Sequence, residues 1–155
     1  MAGRRNIWHA LDVNRYRVGA HTRHRLIYHL VWIPKYRKRI LIGKVAVRLR
    51  QLMYQACEVR GWWVHELSIK PDHVHVLVQA GPGDSVAEVV KTFKGGTAIM
   101  LKRELPELEE WLWGDSLWAD GYFAETVGSA QEDVVRRYIR EQRGPSMPSS
   151  TSPGL

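Results

Sequence analysis

Two histidines, His73 and His75, lie two residues apart in the apolar, β-branched stretch 70–78, and imidazole is a common metal ligand. Such a stretch is typical of a β-strand, in which side chains alternate between the two faces. Both imidazoles therefore project from one rigid face and supply half of a metal site. The same spacing fits two histidines on a solvated sheet face, and the pair alone does not decide between the two interpretations.

A second candidate group lies near the end of the chain, where Tyr138 and Gln142 are four residues apart in a helical pattern. Residues at this spacing share one helix face. A tyrosine hydroxyl can act as a covalent nucleophile, and a glutamine carbonyl is an oxygen donor suited to Mg²⁺ or Mn²⁺. Taken alone, a tyrosine such as Tyr138 is more often a core or interface aromatic than a nucleophile, and that alternative stays open.

The elements that must position these residues follow from apolar periodicity and turn signals. Capping boxes at Ser85 with Glu88 and at Ser129 with Glu132 predict two helix starts. Residues 105–121 indicate a short helical turn and a loop. We predict strands over 24–33, 62–69, 73–79 and 122–127, and helices over 43–59, 85–104 and 129–143.

The order β-α-β-β-α-β-α has strands joined too closely to be all parallel. It predicts an α+β fold in which an antiparallel sheet carries helices on one face, the ferredoxin-like or RNA-recognition-like layout. A chain of 155 residues is one domain. We expect that domain over 23–143, with a basic N-terminal arm over 1–22 and a disordered tail, rich in proline and serine, over 144–155.

The basic charge is concentrated at the start of the chain. The first 50 residues hold 13 of the 23 Lys and Arg residues and one of the 16 acidic residues. Aromatic residues are interleaved with these basic residues. The combination favours a protein that binds nucleic acid over one whose basic surface serves only solubility. Five side chains are candidate phosphate contacts, each with a solvated surface as its alternative: Arg37, Lys38, Arg39, Lys91 and Lys94.

Several classes of protein are disfavoured. Cys57 is the single cysteine, so a disulfide framework and a cysteine-ligated zinc site are excluded. No window approaches 18 uncharged apolar residues, and the first residues lack the apolar core of a signal peptide. We therefore expect a cytoplasmic protein that does not bind membranes.

A series of motifs along 24–143 occurs in the order found in one known family. The motifs are Tyr28-His29-Leu30-Val31-Trp32, Pro34-Lys35-Tyr36-Arg37, Pro71-Asp72-His73-Val74-His75, Lys94-Gly95, Leu112-Trp113-Gly114, Thr126-Val127-Gly128 and Tyr138-Ile139-Arg140-Glu141-Gln142. The chain resembles the one-tyrosine HUH transposases, TnpA type, of the insertion-sequence 200/605 group. The resemblance implies that His73 and His75 bind a divalent metal, Mg²⁺ or Mn²⁺, that Gln142 completes its shell, and that Tyr138 is the nucleophile.

The resemblance further implies a homodimer in which the tyrosine helix of one subunit can serve the histidine pair of the other. Such an enzyme cleaves and rejoins single-stranded DNA at hairpin-flanked ends through a 5′-phosphotyrosine intermediate. Three alternatives remain open. They are a domesticated relative acting on palindromic elements, a non-catalytic module that binds hairpin nucleic acid, and a metal-dependent hydrolase without a covalent intermediate.

One residue departs from the pattern that the resemblance leads us to expect. Glu125 precedes the Thr126-Val127-Gly128 motif at a position where a small or apolar residue is expected. A carboxylate facing the metal would add a ligand or repel phosphate, whereas one facing solvent would have no role. The sequence does not choose between these.

Overall fold

The computed structural model describes residues 17–18 and 23–141, in which a four-stranded antiparallel sheet carries helices on both faces. The sheet order is β4-β5-β3-β6, while β1 and β2 form a separate two-residue ladder. This confirms the predicted α+β, ferredoxin-like architecture. The strands are β1 (Arg17–Val18), β2 (Arg23–His24), β3 (Leu26–Trp32), β4 (Trp63–Lys70), β5 (His73–Ala80) and β6 (Phe123–Thr126). The helices are α1 (Gly43–Arg60), α2 (Val86–Glu104), α3 (Glu107–Trp111) and α4 (Glu132–Glu141), and Lys35–Arg37 forms a 3₁₀ turn.

Strand β5 is buried along its whole length because both of its faces are covered. Its valines point to the larger core, where α1 and α2 pack. Leu77 points to the other face and packs against Ile139 of α4. Because side chains alternate along a strand, His73 and His75 share the α4 face with Leu77. The predicted placement of both imidazoles on one face is therefore confirmed.

The helices of the larger core begin and end where the sequence indicates. Gly61 ends α1 with a left-handed φ of 74°, a conformation that glycine adopts without steric cost. At the start of α2, the Ser85 hydroxyl accepts a hydrogen bond from the Glu88 backbone N–H at 3.1 Å, which confirms the first capping box. Between these helices and the sheet, Phe93 stacks on Trp32.

The last helix differs from its prediction in two ways. Helix α4 packs on the sheet face opposite α1 and α2, so the helices do not all lie on one face. The second capping box is also wrong. Helix α4 begins at Glu132, and the Ser129 hydroxyl accepts a hydrogen bond from Arg25 at 3.2 Å. The Glu132 carboxylate forms a buried ion pair with Arg25 instead of a capping contact, and Ile139 of α4 packs on Ile27 and Leu77, which face away from α1 and α2.

Three predictions concern residues outside the described ranges. They are the basic arm over 1–22 apart from Arg17–Val18, the tail over 144–155, and the metal ligand Gln142. These stay predictions. In the described part of the chain, no helix is long and apolar enough to cross a membrane.

Candidate active site

The imidazole of His73 is oriented by its neighbour in sequence. His73 Nδ1 lies 2.7 Å from Asp72 Oδ1. Because a carboxylate only accepts, the ring donates its Nδ1–H and keeps a lone pair on Nε2. That Nε2 atom is buried and has no hydrogen-bond partner. Burial opposes ionisation of Asp72, but the hydrogen bond from His73 and the Arg37 guanidinium outweigh it and hold the Asp72 pKa below its ordinary value.

The imidazole of His75 is oriented through a second histidine that the sequence analysis did not assign. His29 Nδ1 lies 3.1 Å from Glu125 Oε1, and His29 Nε2 lies 3.0 Å from His75 Nδ1. Since Glu125 only accepts, His29 donates from Nδ1 and its Nε2 accepts the Nδ1–H of His75. The lone pair of His75 therefore also lies on Nε2. Burial and the neighbouring His29, His73 and Lys70 lower the pKa of His75 to about 3, so the ring is neutral at pH 7.

Both histidines of the pair thus present an Nε2 lone pair, each set by a carboxylate behind it. Metal-binding histidines are commonly oriented in this way by a carboxylate or another acceptor on the second ring nitrogen. The orphaned, buried Nε2 of His73 fits a metal ligand, because an unsatisfied buried nitrogen is otherwise costly. In the described ranges, no group of three His, Cys, Asp or Glu side chains could hold a metal.

Tyr138 lies beside the histidine pair in the same chain. Its ring meets the ring of His75 edge to face, with centroids 6.0 Å apart. It packs on the small core formed by Ile27, Leu77, Val127 and Ile139. Burial raises the pKa of Tyr138, so the side chain is a neutral phenol at pH 7. The structure thus brings together three of the four residues predicted to carry the chemistry.

A group of buried polar residues, here called the α4 anchor, holds the tyrosine helix on the sheet. Glu132 forms ion pairs with Arg25 and Arg136, and the side chains of Arg25 and Glu132 are 5% and 6% exposed. Arg136 donates to His65 Nδ1 at 3.0 Å, and His65 Nε2 then donates to Gln79 Oε1 at 2.7 Å. The anchor therefore consists of Arg25, His65, Gln79, Glu132 and Arg136.

A β-bulge in β4 brings His65 into the anchor. The register with β5 shifts between Val64 and Glu66, so His65 is the extra residue. Bulges redirect side chains, and here both His65 and Glu66 reach α4. Glu66 accepts a hydrogen bond from Arg140 at 3.1 Å. No sequence pattern available to us marks this bulge, because it depends on how two strands pair.

Three of the five predicted phosphate contacts follow β3 near the histidines. Arg37 donates to Asp72 Oδ2 at 3.1 Å and thereby lies one residue from His73. Lys38 donates to the Trp111 carbonyl at 2.6 Å, and Arg39 is exposed. Of the three, Arg37 lies next to the histidine pair through Asp72, and the phosphate contacts of all three stay predictions.

The other two predicted contacts lie on α2, across the sheet from the histidine pair. Lys91 is exposed. Lys94 donates to the carbonyls of Ala119 at 2.8 Å and Gly121 at 2.9 Å, and burial lowers its pKa despite the nearby Asp120. An ammonium group has three N–H donors, so Lys94 retains one for any further partner. Its evident role is to hold the loop before β6, and its contact with DNA stays a prediction.

Comparisons with known proteins identify the family of this chain. Residues 22–142 match the family described as "Transposase IS200 like". The chain belongs to the IS200-like transposase family. It is 35% identical over 119 residues to the ISDra2 transposase TnpA of Deinococcus radiodurans, which covers 77% of this chain and 85% of the relative. It is 28% identical over 138 residues to the transposase for insertion sequence element IS200 of Salmonella typhimurium, covering 87% and 91%.

Solved structures place this IS200-like transposase in the same fold. A crystal structure of a Deinococcus radiodurans protein assigned as a transposase superposes with a TM-score of 0.67 at 31% identity, covering 82% of this chain and 98% of that one. A REP-associated tyrosine transposase bound to a REP hairpin superposes with a TM-score of 0.58 at 12% identity, covering 81% and 72%. The second likeness establishes the fold alone.

Proposed function

We propose that this IS200-like transposase cleaves and rejoins single-stranded DNA by attack of Tyr138 on a phosphodiester. The observation that carries the proposal is the packing of the Tyr138 ring against His75, on the face where both histidines present Nε2. The proposed nucleophile and the proposed metal ligands thereby lie on one face of the sheet.

The divalent metal of this proposal, Mg²⁺ or Mn²⁺, would be held by His73 and His75 through Nε2, with Gln142 as the further predicted ligand. When bound, it would supply positive charge that stabilises the pentacovalent phosphate. Neutral imidazoles are required for this, and burial keeps His75 and His29 in that form by lowering their pKa values. Asp72 and Glu125 fix the two tautomers, so the chain contributes an oriented site that needs no rearrangement on binding.

In the reaction, a bond forms between the Tyr138 oxygen and phosphorus while the bond from phosphorus to the 3′ oxygen breaks. The products are a 5′-phosphotyrosine and a free 3′-hydroxyl. Tyr138 is a neutral phenol before the attack, so it must give up its proton as the bond to phosphorus forms, and the leaving 3′ oxygen takes up a proton to become the hydroxyl. The phosphotyrosine ester retains the energy of the original bond, so the 3′-hydroxyl of another strand can reverse the step without ATP.

The substrate of the proposal is DNA with hairpins, and the assembly is a homodimer. A polyanionic substrate is supported by Arg37, which reaches the histidine pair through Asp72, and by the neighbouring cations Lys38 and Arg39 in the same loop. A tyrosine transposase of the same fold has been solved with a REP hairpin, and the likeness supports the fold that such binding uses. A solitary gene amid genomic palindromes would identify a domesticated relative, whereas hairpin-bearing ends would identify a mobile element.

The test is covalent capture of DNA. The full-length protein is incubated with Mn²⁺ and a labelled pool of single-stranded stem-loops with randomised flanks, and adducts that resist denaturation are isolated and sequenced. We expect adducts with the wild type and with Tyr54→Phe, an exposed tyrosine on α1 that serves as the matched control. We expect none with Tyr138→Phe or with the double variant His73→Ala/His75→Ala.

Each other outcome identifies an alternative. Binding without an adduct would indicate a non-catalytic module, and cleavage that survives Tyr138→Phe would indicate hydrolysis without a covalent intermediate. An adduct that persists in Tyr138→Phe would assign the nucleophile to another residue and overturn the proposal.

A further inference from the structure

Two loops far apart in sequence, 34–39 and 111–118, are joined at the end of β3. The first follows β3, and the second follows α3 within the stretch 105–121, for which the sequence predicts a short helical turn and a loop. Hydrogen bonds lock them together, so their relative position is fixed before any ligand arrives. These are Lys35 N to Leu117 O at 2.8 Å, Lys38 Nζ to Trp111 O at 2.6 Å, and Tyr36 Oη to Asp115 Oδ2 at 2.6 Å.

Both loops hold aromatic residues in an unfavourable backbone conformation. Tyr36 has a φ of 60° and Trp113 a φ of 53°, in the left-handed region that bulky residues avoid. Leu112 is fully buried, and Gly114 continues the left-handed turn with a φ of 74°. The chain therefore anchors Leu112 in the core and turns Trp113 outward. Strained positions of this kind are concentrated at ligand-binding sites.

The aromatic side chains form an exposed surface with a cation on it. Trp113 is 74% exposed and Tyr36 is 56% exposed, and their ring centroids are 5.7 Å apart. Lys38 Nζ lies 3.8 Å from the centroid of the Trp113 ring. Since the ammonium covers one face of the indole, the large exposed area of Trp113 belongs mainly to the opposite face. Packing within the described chain does not explain why so large an apolar ring is held in solvent.

An unpaired base is the ligand that this chemistry fits. A base stacks on an aromatic ring while its phosphate contacts nearby cations, and Arg37, Lys38 and Arg39 supply those cations. The surface also adjoins the reacting centre, because Arg37 hydrogen-bonds to Asp72, which in turn hydrogen-bonds to His73. In the interior of a base-paired duplex each base face is covered by its stacked neighbours, so only the two terminal pairs expose a face to Trp113.

We propose that Tyr36, Lys38 and Trp113, here called the aromatic platform, bind an unpaired base of the DNA substrate. The inference rests on the proposed function for the identity of the strand as DNA. Trp113 supplies the stacking surface, Lys38 contacts the adjacent phosphate, and Tyr36 closes one side of the platform.

The test measures binding of labelled dT16 and of a blunt 16-bp DNA duplex to the full-length protein over a range of salt concentrations. We expect Trp113→Ala to weaken dT16 binding about tenfold to a hundredfold, the range for loss of one stacked base. Trp113→Phe retains a ring and should recover most of the affinity. Tyr54→Ala, which removes an exposed aromatic from α1, should bind as the wild type does.

The salt dependence separates stacking from charge. Trp113→Ala removes no charge, so the slope of log K against log salt should stay unchanged, whereas Lys38→Ala should reduce its magnitude by about 0.7. Unaltered dT16 binding by Trp113→Ala would overturn the platform, as would absent dT16 binding by the wild type or an equal loss of duplex binding. Tighter, Trp113-dependent binding of rU16 than of dT16 would overturn the assignment to DNA.

The two proposals fail separately. Adduct formation by Tyr138 together with unaltered dT16 binding by Trp113→Ala would refute the platform and leave the proposed function standing. Trp113-dependent dT16 binding without any Tyr138 adduct would refute the proposed function and leave a single-strand binding surface.

Discussion

Replacing Glu132 by Gln is expected to release the tyrosine helix while leaving the rest of the fold intact. The Glu132 carboxylate is buried between Arg25 and Arg136, and the Arg25 side chain is 5% exposed. Removing one partner of a buried ion pair leaves an uncompensated charge and typically costs about 3–5 kcal/mol. That cost falls on α4, because Glu132 is its first residue and the partner Arg25 precedes β3.

The effect should be local because α4 has little else to hold it. It is 10 residues long, and isolated helices of that length are marginal in water. Its apolar contacts are those of Val135, Tyr138 and Ile139 with the small core. A loss of about 3 kcal/mol raises the population of the undocked helix about 150-fold. Amide hydrogen exchange over α4 should accelerate by that factor, while exchange over β5 should not change.

Hydrogen exchange followed by mass spectrometry checks this expectation, with Glu141→Gln as the matched control. The Glu141 side chain is half exposed and lies 4.0 Å from Arg137, so its loss should cost about 0.5 kcal/mol or less. Equal exchange over α4 in the two variants would refute the assignment of the anchor. Acceleration of β5 to the same extent as α4 would show that Glu132 stabilises the whole domain rather than the helix.

Two further predictions concern other buried groups. The variant Asp72→Asn should lower the affinity for Mn²⁺ about tenfold to a hundredfold, because an amide no longer fixes the tautomer of His73. Calorimetry measures this affinity, and Asp120→Asn, at an exposed position, is the control. Equal affinities of the two variants would contradict the orientation of His73 by Asp72. Cys57 is buried and its pKa is raised to about 12, so iodoacetamide at pH 8 should label it only after unfolding in urea. Since the unfolded thiol ionises near its ordinary pKa of 9.0 and the native thiol does not, the free energy of unfolding should fall as the pH rises from about 9 toward 12. The variant Cys57→Ala should lack that component, and an equal fall in both proteins would contradict the prediction.

The sequence predicts what depends on local patterns and misses what depends on pairing. Alternation along β5 was enough to place His73 and His75 on one face, since the strand period is two. The partners that orient them were not predictable in this way. His29 reaches His75 only because Val31 pairs with His75 in the β3-β5 register, and Glu125 reaches His29 only because the two are paired between β3 and β6. The register between two strands depends on long-range pairing, which local sequence patterns do not encode.

The anchor shows the same limit at Glu132. Its position three residues after Ser129 matches a capping box, a local motif with a known energetic value. Instead, the buried side chain of Arg25 donates a hydrogen bond to Ser129 and forms an ion pair with Glu132. Pairing two desolvated charges outweighs a single helix cap here. A motif defined by spacing was therefore overridden by a contact between residues more than a hundred positions apart.

The short connection between β6 and α4 limits whether Tyr138 can serve the histidine pair of a partner subunit instead of its own. Val127 is fixed in the small core and donates to Ile27 O at 2.9 Å, and α4 begins five residues later. Five residues span at most about 18 Å. A partner's histidine pair can therefore receive α4 only if its docking surface lies within that distance of Val127 and the turn from Gly128 to Gln131 opens.

We therefore expect Tyr138 to act within its own chain. Mixing Tyr138→Phe with the His73→Ala/His75→Ala variant tests this, because a dimer of the two contains no single chain with a complete site. No adduct should form, whereas the same subunits would restore one site if the tyrosine acted on the partner. Recovery of about half the wild-type adduct per mixed dimer would contradict the expectation and would require the connection after Val127 to extend between subunits.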